Sequence, residues 1–226
     1  MTARVDLRGG EPPRERWDPA ERRAIPYPRP ADIGGHGALV LVHQTDCTWG
    51  TTAKQRAAAG GDRELARAQR MRATPYHYGA LGVTGVAQAV ALWPLEAYTY
   101  HANAGNRYAV GLGIEGRWPR AEAERLPRHM PAPGSPGAEA VAEAAREALR
   151  WAVEDLLAAG AGSVALVTHR QTNPARGPDP GEALLEALAP AAAALGVPAL
   201  PGWVRGRGRP WPTAWRQAWL DGGATL

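Results

Sequence analysis

The sequence predicts an α/β architecture, a mixed central β-sheet flanked by helices, and three observations carry that prediction. Two short apolar runs, in "GALVLVHQTD" and "SVALVTH", are bounded by glycine or polar residues and read as buried strands. Both end at a histidine, His43 and His169. Between them, "SPGAEAVAEAAREALRWAVEDLLAAGAG" repeats apolar residues at helical spacing, so strand-like and helix-like segments alternate along the chain.

Each element has a local reason. Residues 1–35 are rich in Pro, Arg and Gly with little periodicity, and read as an N-terminal extension that wraps an edge or stays mobile. Ala38 to Val42 form the first buried strand. "GDRELARAQRMR", at 61–72, reads as a polar surface helix. "YHYGALGV" and "GVAQAVAL" meet near Thr84 and Gly85 and predict a hairpin. "NRYAVGLGIEGRW" predicts a further strand, weakened by glycines. The long helix has Ser135 as its cap, Val141, Ala145, Leu149, Val153 and Leu157 along one stripe, and Gly160 at its end. "GEALLEALAPAAAALG" predicts a helix kinked or broken at Pro190.

Composition bounds the function. With 226 residues, 45% hydrophobic, the chain can bury a sizeable core. A net charge of +4 suits an anionic partner, cell-wall polymer or nucleic acid, without choosing between them. The single cysteine, Cys47, excludes an intrachain disulfide framework and reads as a small buried residue. No apolar run reaches membrane-spanning length. The first residues lack the apolar core of a signal peptide, so the expectation is a chain made in the cytoplasm that reaches any outside target by release or export.

The closing stretch "VTHRQTNPARGPDPGEALLEAL" admits two readings. In the plainer one Asp179 is an N-cap, Pro180 takes the first helical position and Glu182 completes a capping box. In the other, His43 and His169 stand at the carboxyl ends of neighbouring strands, and Asp179, ten residues past His169, joins them. Two imidazoles and a carboxylate are a ligand set for catalytic zinc, with the fourth position left to water. Asp179 can serve both readings, one oxygen toward a metal and the other toward helix N–H groups.

Four ordered motifs then align with a known pattern: "VLVHQTD", "PYHYGALGVTGVAQAVAL", "YTYHANAGNRYAVGLGIEG" and "THRQTNPARGPDPGEALLEAL", together spanning about 36–195. The chain resembles the zinc-dependent N-acetylmuramoyl-L-alanine amidases of type 2, the family of phage lytic amidases and peptidoglycan recognition proteins. The resemblance implies an amidase domain over 36–200 and Zn2+ held by His43, His169 and Asp179. It implies Tyr76 near the metal as a hydrogen-bonding or proton-handling group, and His101 with Asn103 or Asn106 along the substrate groove. His77 alternates with Tyr76 across the pleat and reads as structural.

Two positions depart from the family pattern. Where enzymatic members often carry a lysine two residues before the last ligand, this chain has Gly177, with Arg176 beside it. Where bacterial members often carry a glutamate, it has Gly113, and the nearest carboxylate is Glu115, one step of about 7 Å along the same strand face. The expected chemistry is hydrolysis of the lactyl-to-L-alanine amide by zinc-activated water, with Tyr76 and Arg176 stabilising the oxyanion and Glu115 protonating the leaving amine. Expected partners are peptidoglycan or muropeptide, plus an immunity, carrier or delivery partner if the chain is an exported effector. Nucleic acid is not an expected partner.

The alternative is a non-catalytic muropeptide-binding module of the same fold: the intact ligand trio favours the enzyme, while Gly113 and Gly177 favour the binder. The tail, 201–226, holds four of nine tryptophans. Trp211, Trp215 and Trp219 recur at i, i+4, i+8, which predicts one buried face of a short helix, against a wall-, membrane- or partner-binding reading.

Overall fold

The computed structural model describes residues 2–9, 15–18, 23–26, 37–97, 99, 109–118, 134–172 and 179–199. The strands are β1 (Ala3–Asp6), β2 (Glu15–Asp18), β3 (Arg23–Pro26), β4 (Gly37–Gln44), β5 (Tyr78–Leu81), β6 (Gln88–Ala91), β7 (Ala109–Ile114) and β8 (Ser163–Thr168). The helices are α1 (Ala53–Ala58), α2 (Arg63–Met71), α3 (Pro136–Ala158), α4 (His169–Thr172) and α5 (Glu182–Ala194). Six strands form one sheet in the order β1-β6-β5-β7-β4-β8, and β2 and β3 pair separately. Only β5 and β6 run antiparallel within the six, as the hairpin at Gly85 requires; the remaining pairs are parallel. This is the mixed α/β sheet with flanking helices that the sequence predicts.

The alternation of side chains across the pleat divides the core in two. On one face Val40, Val42, Leu112, Ile114, Val164 and Leu166 pack against α3 and α5. On the other, Leu81, Val90 and Leu92 meet Ala68 and Met71 of α2. That seating is close: a Cβ on Gly79 would stand 2.4 Å from Met71 Sδ, so the helix rests directly on the strand backbone. Helix α2 is therefore more than a polar surface element, since Ala66, Arg67, Ala68 and Met71 are all buried.

Several boundaries follow from caps. Ser135 accepts from the Ala138 N–H to start α3. Asp62 accepts from Glu64 and Leu65 to start α2. Helix α1, with a Thr52–Gln55 capping box, is an element that the sequence reading omits. Helix α5 is not broken at Pro190, which lies inside it, because Leu184, Leu185, Leu188, Ala191 and Ala192 hold both sides of the proline against the core. Within the N-terminal stretch, β1 extends the sheet by pairing parallel to β6, and Arg8 ties it to α3 through Asp155 at 2.5 Å. Among the described residues no helix is long and apolar enough to cross a membrane. The tryptophan-rich tail lies outside the described residues.

Candidate metal centre

The site is a product of register. Strand β4 lies between β7 and β8, with Val42 opposite Thr168 in one ladder and His43 opposite Gly113 in the other. The next residue in each segment is a histidine, His43 within β4 and His169 directly after β8, so the two come side by side at the carboxyl end of the sheet, with His43 on the face turned away from α3. A side-chain bridge ends β8: Gln171 Oε1 accepts from the Thr168 N–H at 2.7 Å and from its hydroxyl at 2.9 Å. His169 is thereby held in the first turn of α4.

Asp179 closes the group. His43 Nδ1 and His169 Nδ1 stand 3.0 Å apart. Asp179 Oδ2 is 2.6 Å from His169 Nδ1 and 3.6 Å from His43 Nδ1. Both histidines are buried, and Asp179 is half-buried. Burial opposes the charge on Asp179, but hydrogen bonds and charge from His169 and His43 outweigh it and hold the carboxyl well below the usual carboxylate range. The carboxylate is therefore ionised, as a ligand must be.

The three donors fit one ion. A triangle with edges of 2.6, 3.0 and 3.6 Å has a point about 1.8 Å from each corner, and zinc bonds to nitrogen and oxygen run about 2.0–2.2 Å, so one ion slightly out of that plane reaches all three atoms. Protons satisfy the same trio less well, because a single Nδ1–H cannot point fully at both of its neighbours.

The helix-cap reading of Asp179 is corrected. The N-cap of α5 is Gly181, which makes no side-chain cap bond, and Glu182 is the first helical residue. Asp179 stands two residues too early to cap; its Oδ1 accepts instead from the Gln44 N–H at 2.8 Å. Both oxygens are thus engaged toward β4 and the histidines.

Tyr76 lies at the same end of the sheet, its ring centroid 5.0 Å from that of His43. It occupies the space above Gly113, where a Cβ would fall 2.3 Å from the Tyr76 ring. His77 faces elsewhere. Its Nδ1 accepts from the Gly111 N–H at 3.1 Å and lies 3.0 Å from Thr99 Oγ1, while Nε2 is 2.9 Å from the Ala97 carbonyl. Those partners assign the proton to Nε2.

Glu115 requires a correction. The expected role is to protonate the leaving amine, but the chain leaves the strand after Ile114 and folds the carboxylate into the interior. Arg67 Nη2 holds both oxygens at 2.6 Å. The N–H groups of Trp49, Gly82 and Val83 donate to them at 2.9, 3.0 and 3.1 Å. Fully buried and five times bonded, Glu115 anchors the loop after β4 and the β5–β6 turn to α2. Its partner Arg67 was missed in sequence because an arginine on a polar helix normally faces water. His101, Asn103, Asn106 and Arg176 lie outside the described residues.

No family model and no curated protein matches the chain. Solved structures with a similar fold include the endolysin N-acetylmuramoyl-L-alanine amidase LysCS from Clostridium intestinale URNW, at 15% identity and TM-score 0.43, covering 87% of this chain and 97% of that one. The Ph2119 endolysin from a Thermus scotoductus MAT2119 bacteriophage is 15% identical over 82% of this chain and 98% of its own, with TM-score 0.40. Drosophila PGRP-LB is 16% identical over 80% and 91%, with TM-score 0.40.

Proposed function

We propose that the chain is a peptidoglycan hydrolase that cuts the amide between the N-acetylmuramoyl lactyl group and L-alanine of the stem peptide, with zinc held by His43, His169 and Asp179. The observation that carries this reading is the convergence of Nδ1, Nδ1 and Oδ2 to within 3.6 Å of one another at the carboxyl ends of two parallel strands. When bound, zinc supplies a Lewis acid for the scissile carbonyl and a hydroxide nucleophile near neutral pH.

The chain's own residues supply the rest. Asp179 and the two imidazoles fix the place of the chemistry. Tyr76, packed beside His43, donates a hydrogen bond to the oxyanion that forms on the lactyl carbonyl. With Glu115 committed to Arg67, protonation of the leaving amine also falls to the Tyr76 phenol, and the phenolate recovers its proton from the lactyl carboxylic acid formed as the C–N bond breaks. Arg176, His101, Asn103 and Asn106 keep the roles in oxyanion and substrate binding that the family resemblance gives them.

A second reading, a muropeptide-binding module that does not cut, draws on one observation: the carboxylate nearest the expected catalytic position is locked in a buried ion pair. Purified chain incubated with peptidoglycan, with and without a chelator, decides between them. Hydrolysis releases new amino termini that the chelator abolishes; retention on peptidoglycan with no new termini leaves the binder.

A further inference from the structure

We infer that Gln44 is a positioning residue for Asp179, and that it ties the first donor strand to the loop bearing the last donor. The inference rests on the metal reading only in taking Asp179 as a donor. Gln44 directly follows His43 and is buried. Its backbone N–H donates to Asp179 Oδ1 at 2.8 Å, which leaves Oδ2 as the oxygen turned to the histidines. Its side chain holds the same loop from a second point: Oε1 accepts from the Gly181 N–H at 3.2 Å. The same oxygen accepts from the Trp118 N–H at 3.0 Å, and Nε2 donates to Asp46 Oδ1 at 3.1 Å.

Gly181 is the N-cap of α5 and has no side-chain cap of its own. One amide carbonyl therefore fixes the start of α5 and the turn after β7, and both are referred to the residue beside His43. Removing the acceptor leaves two backbone N–H groups without it and frees the 179–181 segment to shift. A shift of a few tenths of an ångström is enough to spoil a three-donor site, because ligand distances are tolerated only to about 0.2 Å.

The test compares Gln44→Met, which removes the acceptor, with Gln44→Glu, which keeps an oxygen for both N–H groups. Zinc affinity of the full chain is read by competition with a chromophoric chelator. Gln44→Met is expected to weaken zinc binding about 10–100-fold, the range for loss of an outer partner of a ligand, and Gln44→Glu to regain most of that loss. Wild-type affinity in Gln44→Met, or equal weakening in both variants, overturns the inference. A metal-free measurement separates it from the functional reading: urea unfolding of Gln44→Met, Asp179→Ala and the double variant. Unfolding constants that depart from multiplicativity by about threefold or more support positioning, and multiplicative constants overturn it. If the wild type takes up no zinc while the cycle shows coupling, the metal reading falls and the positioning role stands.

Discussion

Gly113 and Tyr76 occupy one space: a Cβ built on Gly113 would stand 2.3, 2.6 and 2.8 Å from Cδ2, Cε2 and Cγ of the tyrosine ring. The side-chain volume that position 113 could have held is filled by Tyr76 arriving from the loop before β5, and this brings the ring against His43. Gly113→Ala should therefore cost about 1–3 kcal/mol, as forced overpacking does. In a Tyr76→Ala background the same change should become neutral or stabilise by up to about 1 kcal/mol, since alanine is preferred to glycine in a strand once the clash is gone. Urea unfolding of the four proteins reads the sign, and an unchanged cost in the second background rejects the shared space.

Tyr76→Phe keeps the ring over Gly113 and removes the hydroxyl. Loss of one oxyanion donor typically lowers kcat about 10²–10³-fold. That drop is expected in release of amino termini from peptidoglycan, with zinc content and folding unchanged. Activity at the wild-type level would remove Tyr76 from the chemistry.

Asp179→Ala removes one of three converging donors and leaves the Gln44 N–H without its acceptor. The loss of zinc affinity should exceed the roughly 10–100-fold typical of an outer-sphere change. Metal analysis of dialysed wild type and variant checks it; near-stoichiometric zinc in both would show that the trio is not the binding site.

How much of this could be read in the sequence varies by residue. His43 and His169 were legible because each ends an apolar run, and parallel pairing of the two strands does the rest. Asp179 was legible as a donor but mistaken as a cap, since a Pro-Gly pair following an aspartate reads the same whether the helix starts at 180 or at 182. Glu115, Arg67 and Gln44 were not legible in their roles. The partner that gives each its role is far away in the chain, 48 residues between Glu115 and Arg67, and 135 and 137 from Gln44 to Asp179 and Gly181, so no local period marks them. Strand alternation placed Glu115 with Gly113, but the strand had already ended at Ile114.

Glu115→Gln tests the structural role assigned to that carboxylate. Both members of its pair are almost wholly buried, so removing one charge leaves Arg67 facing a neutral amide, with Glu64 as its other acid. Breaking a buried pair from one side costs about 3–5 kcal/mol, and the contact with Glu64 places this variant toward the lower end. Zinc affinity should stay within about threefold of wild type, because coupling is weak between groups that share no partner. A stable variant that binds zinc but fails to hydrolyse peptidoglycan would return Glu115 to the reaction.

His77 predicts an acid limb of stability. Burial lowers its pKa from 6.5 to about 4, against a weaker opposing effect of the hydrogen bond to the Ala97 carbonyl. Protonation would place an N–H on Nδ1 directly facing the Gly111 N–H, donor against donor. The unfolded chain takes up this proton near pH 6.5 and the folded chain only near pH 4. The contribution is therefore complete above about 6.5 and is lost as pH falls toward 4, by roughly 3 kcal/mol over the interval. Urea midpoints of metal-free protein at several pH values between 4 and 7 should show that slope. His77→Gln, which cannot take up a proton there, should reduce proton uptake on unfolding near pH 5 by about one. Parallel slopes in the two proteins would mean that His77 titrates normally in the fold.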